Sequence, residues 1–208
     1  MNKLWVFGCS FSTGHRGNSN PYEIELTWPG ILADKLGMEL KLIAKAAQSN
    51  WGSILEFIKY RNEISKDDIV IFEFTFFDRH SFYPTTHNQG DFDDFILKRF
   101  GGNVDMFLSM MREHNFEWFN KEVNNWCIDN NIKIWYWSAN GETHIDFFNY
   151  KNIIEFIPAP TLDTFAIFNE WQDKHSEYWV DNYDRHFNEV SHNILGNHIY
   201  KWLDKYEK

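Results

Sequence analysis

Three short apolar runs, LWVF at Leu4–Phe7, LKLIA at Leu40–Ala44 and IVIFEFTF at Ile69–Phe76, are separated by two stretches whose apolar residues recur at helical spacing. That alternation constrains the fold more than any other feature of the chain. A strand that is apolar on both faces has to be covered on both, which is the condition of a strand inside a parallel sheet. Parallel neighbours in turn need long crossover connections, and helices supply them. Trp28, Ile31, Leu32 and Leu36 predict the first such helix, with Pro29 in its first turn and Gly37 at its end. Trp51, Ile54, Leu55 and Ile58 predict the second, ending near SKDD.

The same pattern continues towards the C-terminus. Phe107, Met111, Trp118, Val123 and Trp126 mark one long helix or two shorter ones, with a break expected at His114–Phe116. IKIWYWSA reads as a fourth strand, NIIEFIP at Asn152–Pro158 as a fifth, and Val190, Ile194, Leu195, Ile199 and Trp202 as a terminal amphipathic helix. The predicted fold class is α/β: a three-layer α/β/α sandwich around a mostly parallel, five-stranded sheet of the flavodoxin-like kind. The 208 residues suit a single domain. The periodicity lapses around residues 78–104, which reads as a lid insertion, and again before Arg185.

A formal charge of −10 with no run of Lys and Arg argues against nucleic acid as a partner. Cys9 and Cys127 are far apart and lack metal-ligand spacing, so neither a disulfide framework nor a zinc site is expected. No apolar run reaches the ~20 residues that span a bilayer, and the N-terminal run is too short for a signal-peptide core. A cytoplasmic protein without membrane contact is therefore expected. The twenty Phe, ten Trp and nine Tyr exceed what a small core needs, which leaves rings for a binding surface.

In open parallel sheets ligands gather beyond the carboxyl ends of the strands. Two polar pieces fall there. The first is GCSFS, just past the first strand, where Gly8 permits a tight exit and Ser10 can turn both its hydroxyl and its backbone N–H to the crevice. The second is DRHFNEVSH, Asp184–His192, at the mouth of the last helix. Asn188 suits the N-cap, which leaves His186 just ahead of the helix and Asp184 within reach of its other ring nitrogen. A base and its orienter from one loop are what a serine hydroxyl needs to become a nucleophile.

Together these pieces resemble the SGNH, or GDSL-like, hydrolase family, whose first block supplies a serine nucleophile and whose last block supplies an aspartate and a histidine. The resemblance implies a triad of Ser10, His186 and Asp184 acting on an ester, with no cofactor and no metal. The middle block looks like AAQSN, with Ala47 where a glycine would offer its N–H to the oxyanion. Two departures stand out. Cys9 occupies the place of the aspartate in GDS, and FEFTFFDRH lacks the asparagine of the third block, so the third oxyanion donor falls to Asn50 or to Thr75. Phe82, Tyr83, Trp171 and Trp179 could line the pocket, and a small acyl ester, with an O-acetylated carbohydrate preferred, is the implied partner.

Two other readings use the same residues. SFSTG after a first strand also resembles a flavodoxin phosphate loop, which would make the protein a flavin carrier but leaves Asp184 and His186 without a task. Loss of the third-block asparagine also fits a silent, carbohydrate-binding relative of hydrolases. His186, His192 and His198 recur every six residues, a spacing that does not return to one helical face, so they are not expected to share a metal.

Overall fold

The computed structural model describes residues 1–16, 20–74, 101–138 and 186–206. Among them, four parallel strands form one sheet in the order β2-β1-β3-β4. These are β1 (Lys3–Gly8), β2 (Glu39–Ala44), β3 (Ile69–Phe74) and β4 (Lys133–Ser138). β1 and β3 lie inside, flanked on both sides, and every residue of β3 is buried. This is the environment that the apolar run Ile69–Phe76 demands. The segment Asn152–Pro158, expected to be a fifth strand, lies outside the described residues, as does most of the lid expected around 78–104.

The described helices are α1 (Ser10–Thr13), α2 (Trp28–Leu36), α3 (Asn50–Tyr60), α4 (Val104–Trp118), α5 (Asn125–Asp129) and α6 (Glu189–Tyr206). The period-2 alternation of the strands sorts the core into two layers. Leu4, Val6, Ile69, Ile71, Trp135 and Trp137 pack with α2 and α6 through Trp28, Leu32, Leu195 and Ile199. Trp5, Phe7, Val70, Phe72, Phe74 and Tyr136 pack on the other side with Ile54, Phe57, Phe116, Phe119 and Val123. Three layers follow directly from one sheet with two apolar faces. Much of the aromatic surplus is spent here, since Trp5, Trp28, Phe7, Phe57, Phe72, Phe74, Phe116 and Phe119 are all fully buried.

Local signals set the helix ends. Thr27 caps α2 by accepting from the Gly30 N–H, Pro29 sits in its first turn, and Gly37 ends it in the left-handed conformation at φ 64°. Ser49 caps α3 through the Gly52 N–H at 3.0 Å. Asn188 accepts from the Ser191 N–H at 3.1 Å and starts α6 where the sequence placed it. The break in the long helix falls elsewhere than expected. His114–Phe116 stays helical, and the interruption is a π-helical turn over Phe119–Asn124. A polar pair without glycine or proline does not stop a helix, whereas one extra residue in a turn has no composition of its own.

Candidate functional site

The pairing register aligns the strand ends: Gly8 lies beside Ala44, and Phe74 beside Ser138. The segments leaving β1 and β2, with Ser10 and Ala47, therefore emerge at one carboxyl edge, as the sequence reading requires. The exit from β1 is tighter than a simple turn. Cys9 is the N-cap of the short helix α1, Ser10 is its first residue, and Gly14 closes it at φ 69°. Ser10 is 1% exposed, with its Oγ 4.0 Å from the Cys9 Sγ.

Gly8 is there for a reason other than backbone freedom, because its φ is not positive. A Cβ at this position would stand 2.8 Å from the Ser12 Oγ and 2.9 Å from the Glu73 Cβ, closer than packed atoms allow. Glu73 occupies that space. Its carboxylate accepts from the Cys9 Sγ–H at 2.8 Å, from the Cys9 backbone N–H at 3.4 Å, and from the Ser12 hydroxyl. The Cys9 side chain is fully buried and turned onto Glu73.

His186 comes to this same turn. Its ring lies 5.5 Å from that of Phe11 and 4.7 Å, edge-on, from that of His15. Phe11 follows Ser10 directly, and His15 follows α1, its N–H donating to the Ser10 carbonyl. The chain's two ends thus meet over α1. His192, one turn into α6, is differently placed. It is fully buried, its Nδ1 accepts from the Trp28 N–H at 3.2 Å, and its ring packs on Tyr22 and Phe187. Burial, helped by the charge of His186, pushes its imidazole down to about 3, so it stays neutral at ordinary pH.

On the β2 side, Ala47 is exposed and sits at φ 59°, in the left-handed region that favours glycine. This is the position at which the resemblance calls for glycine. Asn50, the first residue of α3, is 2% exposed. Asp184, Thr75, Phe82, Tyr83, Trp171 and Trp179 lie outside the described residues. Among the described residues no group of His, Cys, Asp and Glu has the arrangement of a metal site, and no helix is long and apolar enough to cross a membrane.

Two residues of the site escaped the sequence reading. Glu73 had a signal, being the lone acidic residue in an otherwise apolar strand. His15 had none beyond its distance of five residues from Ser10.

The fold is an α/β architecture with a parallel sheet that matches solved structures of SGNH, or GDSL, hydrolases. The solved structures it resembles include three esterase or lipolytic proteins. A member of the lipolytic protein G-D-S-L family from Veillonella parvula DSM 2008 matches at 11% identity and a TM-score of 0.53, over 99% of this chain and 100% of that one. The psychrotrophic esterase EstA from a Pseudoalteromonas species matches at 12% identity and 0.55, over 99% and 98%. A carbohydrate esterase, whose active site has divergent catalytic and non-catalytic binding functions, matches at 12% and 0.59, over 98% of this chain and 65% of that one. No protein-family model and no curated protein sequence matches the chain. At these identities the likeness is one of fold.

Proposed function

We propose that the protein is a serine esterase that removes a small acyl group through Ser10, His186 and Asp184. The observation that carries the reading is the packing of the His186 ring, from the far end of the chain, on Phe11, which follows Ser10 directly, and on His15, just past α1. His186 takes the Ser10 proton as the oxygen attacks the ester carbonyl, and returns it to the leaving alcohol. Asp184, two residues upstream, holds the imidazole in the required tautomer. Water, activated by the same histidine, then releases the acyl group from Ser10.

The oxyanion of each tetrahedral intermediate is met by the backbone N–H groups of Ser10 and Ala47, and by the side chain of Asn50 or Thr75. The reaction needs no cofactor. Phe82, Tyr83, Trp171 and Trp179 are the residues we assign to substrate binding, and an O-acetylated carbohydrate is the preferred substrate, because aromatic rings stack on sugar faces. A screen of short-chain aryl esters and acetylated sugars, with Ser10→Ala as the blank, tests this. Turnover that survives in Ser10→Ala refutes it.

A second reading, a carbohydrate-binding protein without turnover, is favoured by the 1% exposure of Ser10. It predicts saturable binding of acetylated sugars that Ser10→Ala leaves intact, with no product formed.

A further inference from the structure

We infer that Glu73 is a positioning residue for Ser10: its carboxylate, reaching from the end of β3, holds both sides of the turn that carries the nucleophile. The inference rests on the esterase reading for its kinetic consequences but not for its geometry. Cys9, immediately before Ser10, gives Glu73 two hydrogen bonds, one from its N–H and one from its thiol. Ser12, two residues after Ser10, gives it a third through its hydroxyl. The clamp spans more than sixty residues of sequence, so β3 fixes where α1 begins.

The surroundings make the clamp tight. Glu73 is 1% exposed, Ser12 and Cys9 are fully buried, and water has no ready access to replace any of the three hydrogen bonds. The absence of a side chain at Gly8 is part of the arrangement, since a Cβ there would collide with the Glu73 side chain and the Ser12 hydroxyl. Glu73 does not itself touch a reacting atom in this scheme. It acts through the backbone of Cys9–Ser12, which sets both the Ser10 Oγ and the Ser10 N–H. A displacement of about 1 Å at such a group costs on the order of 100-fold in rate.

The test compares Glu73→Leu, which removes every acceptor, with Glu73→Gln, which keeps one carbonyl oxygen for the Cys9 N–H and the Ser12 hydroxyl. Three readouts are taken: the rate of Ser10 labelling by a fluorophosphonate probe, kcat and KM on an active ester, and hydrogen exchange of the amides of residues 9–13. Glu73→Leu is expected to lower kcat and the labelling rate by about 10- to 100-fold with KM within about threefold. Glu73→Gln should recover most of that loss. Adding Ser12→Ala to Glu73→Leu should cost nothing further, because the hydroxyl has already lost its acceptor.

Full kinetic activity in a folded Glu73→Leu, or an equal loss in Glu73→Gln, overturns the inference while leaving the esterase reading standing. Should the wild type be inert to the probe and to every ester, the esterase reading fails, and exchange decides the clamp alone. Tenfold faster exchange confined to residues 9–13 in Glu73→Leu supports it, and unchanged protection there overturns it. If Glu73→Leu does not fold, Ser12→Ala alone takes its place, with a smaller loss of the same kind expected and no loss overturning the clamp.

Discussion

Replacing Ala47 by glycine should stabilise the protein, although it removes a methyl group and loosens the chain. The reason is the backbone of Ala47, which is held at φ 59°. An L-residue in that region suffers a clash between Cβ and the following carbonyl worth about 1–2 kcal/mol. Glycine escapes it but raises the entropy of the unfolded chain, at a cost of about 0.4–1 kcal/mol. The difference lies between about 0 and 1.6 kcal/mol, centred near 0.8, in favour of the variant. No packing is lost in exchange, since Ala47 is exposed. For a domain of this size the gain corresponds to a rise in Tm of roughly 2–3 °C. Ala47→Val should move the other way by at least as much, because a branched Cβ tolerates the left-handed region worse. Thermal unfolding and urea titration of the three proteins measure this. A fall in Tm of more than 2 °C in Ala47→Gly, with Ala47→Val neutral, would refute the reasoning. Turnover in Ala47→Gly should stay within about twofold, because the oxyanion role proposed for Ala47 uses its N–H and not its methyl.

Two further outcomes follow from the structure, and a third from the proposed esterase mechanism. His192 has its folded-state value depressed to about 3, so the unfolded chain binds the extra proton first as pH falls, and stability is lost from about pH 6.5 downwards at about 1.4 kcal/mol per pH unit. Urea unfolding between pH 6.5 and 4.5 should show this slope in the wild type and a shallower one in His192→Phe; equal slopes would show that His192 is not held neutral. Gly8→Ala should cost about 1–3 kcal/mol by overpacking the Glu73 clamp, and a neutral result would contradict the close approach. Asn50→Ala should lower kcat by about 10²–10³ with less effect on KM, while Thr75→Val is mild; the opposite pattern in a kinetic comparison would assign the third oxyanion donor to Thr75.

The sheet was legible in the sequence because buried parallel strands leave near-continuous apolar runs, as Ile69–Phe74 does, and few other elements produce them. Helix ends were legible where they have a chemical signature: Pro29 and Gly37 at α2, Asn188 at α6. The π turn at Phe119–Asn124 carries no such signature, so the break was expected several residues too early. The places of Ser10, just after the first strand, and of His186, just ahead of the last helix, were legible in the sequence, while the roles proposed for them came from the resemblance. The clamp beneath Ser10 could not. Glu73 and Cys9 are 64 residues apart, and their contact depends on the register that sets Phe7 beside Phe72. For the same reason the sequence suggested that Gly8 serves a tight turn, when its small size serves a neighbouring strand.

The central claim is that Ser10 is a nucleophile activated by His186. The direct measurement is covalent modification by a fluorophosphonate probe, read by intact mass and peptide mapping on the wild type, Ser10→Ala, Cys9→Ala and His186→Ala. The account predicts a single adduct on Ser10 in the wild type and in Cys9→Ala, none in Ser10→Ala, and labelling slowed by orders of magnitude in a folded His186→Ala. An unmodified wild type, an adduct that persists in Ser10→Ala, or undiminished labelling in His186→Ala would contradict it.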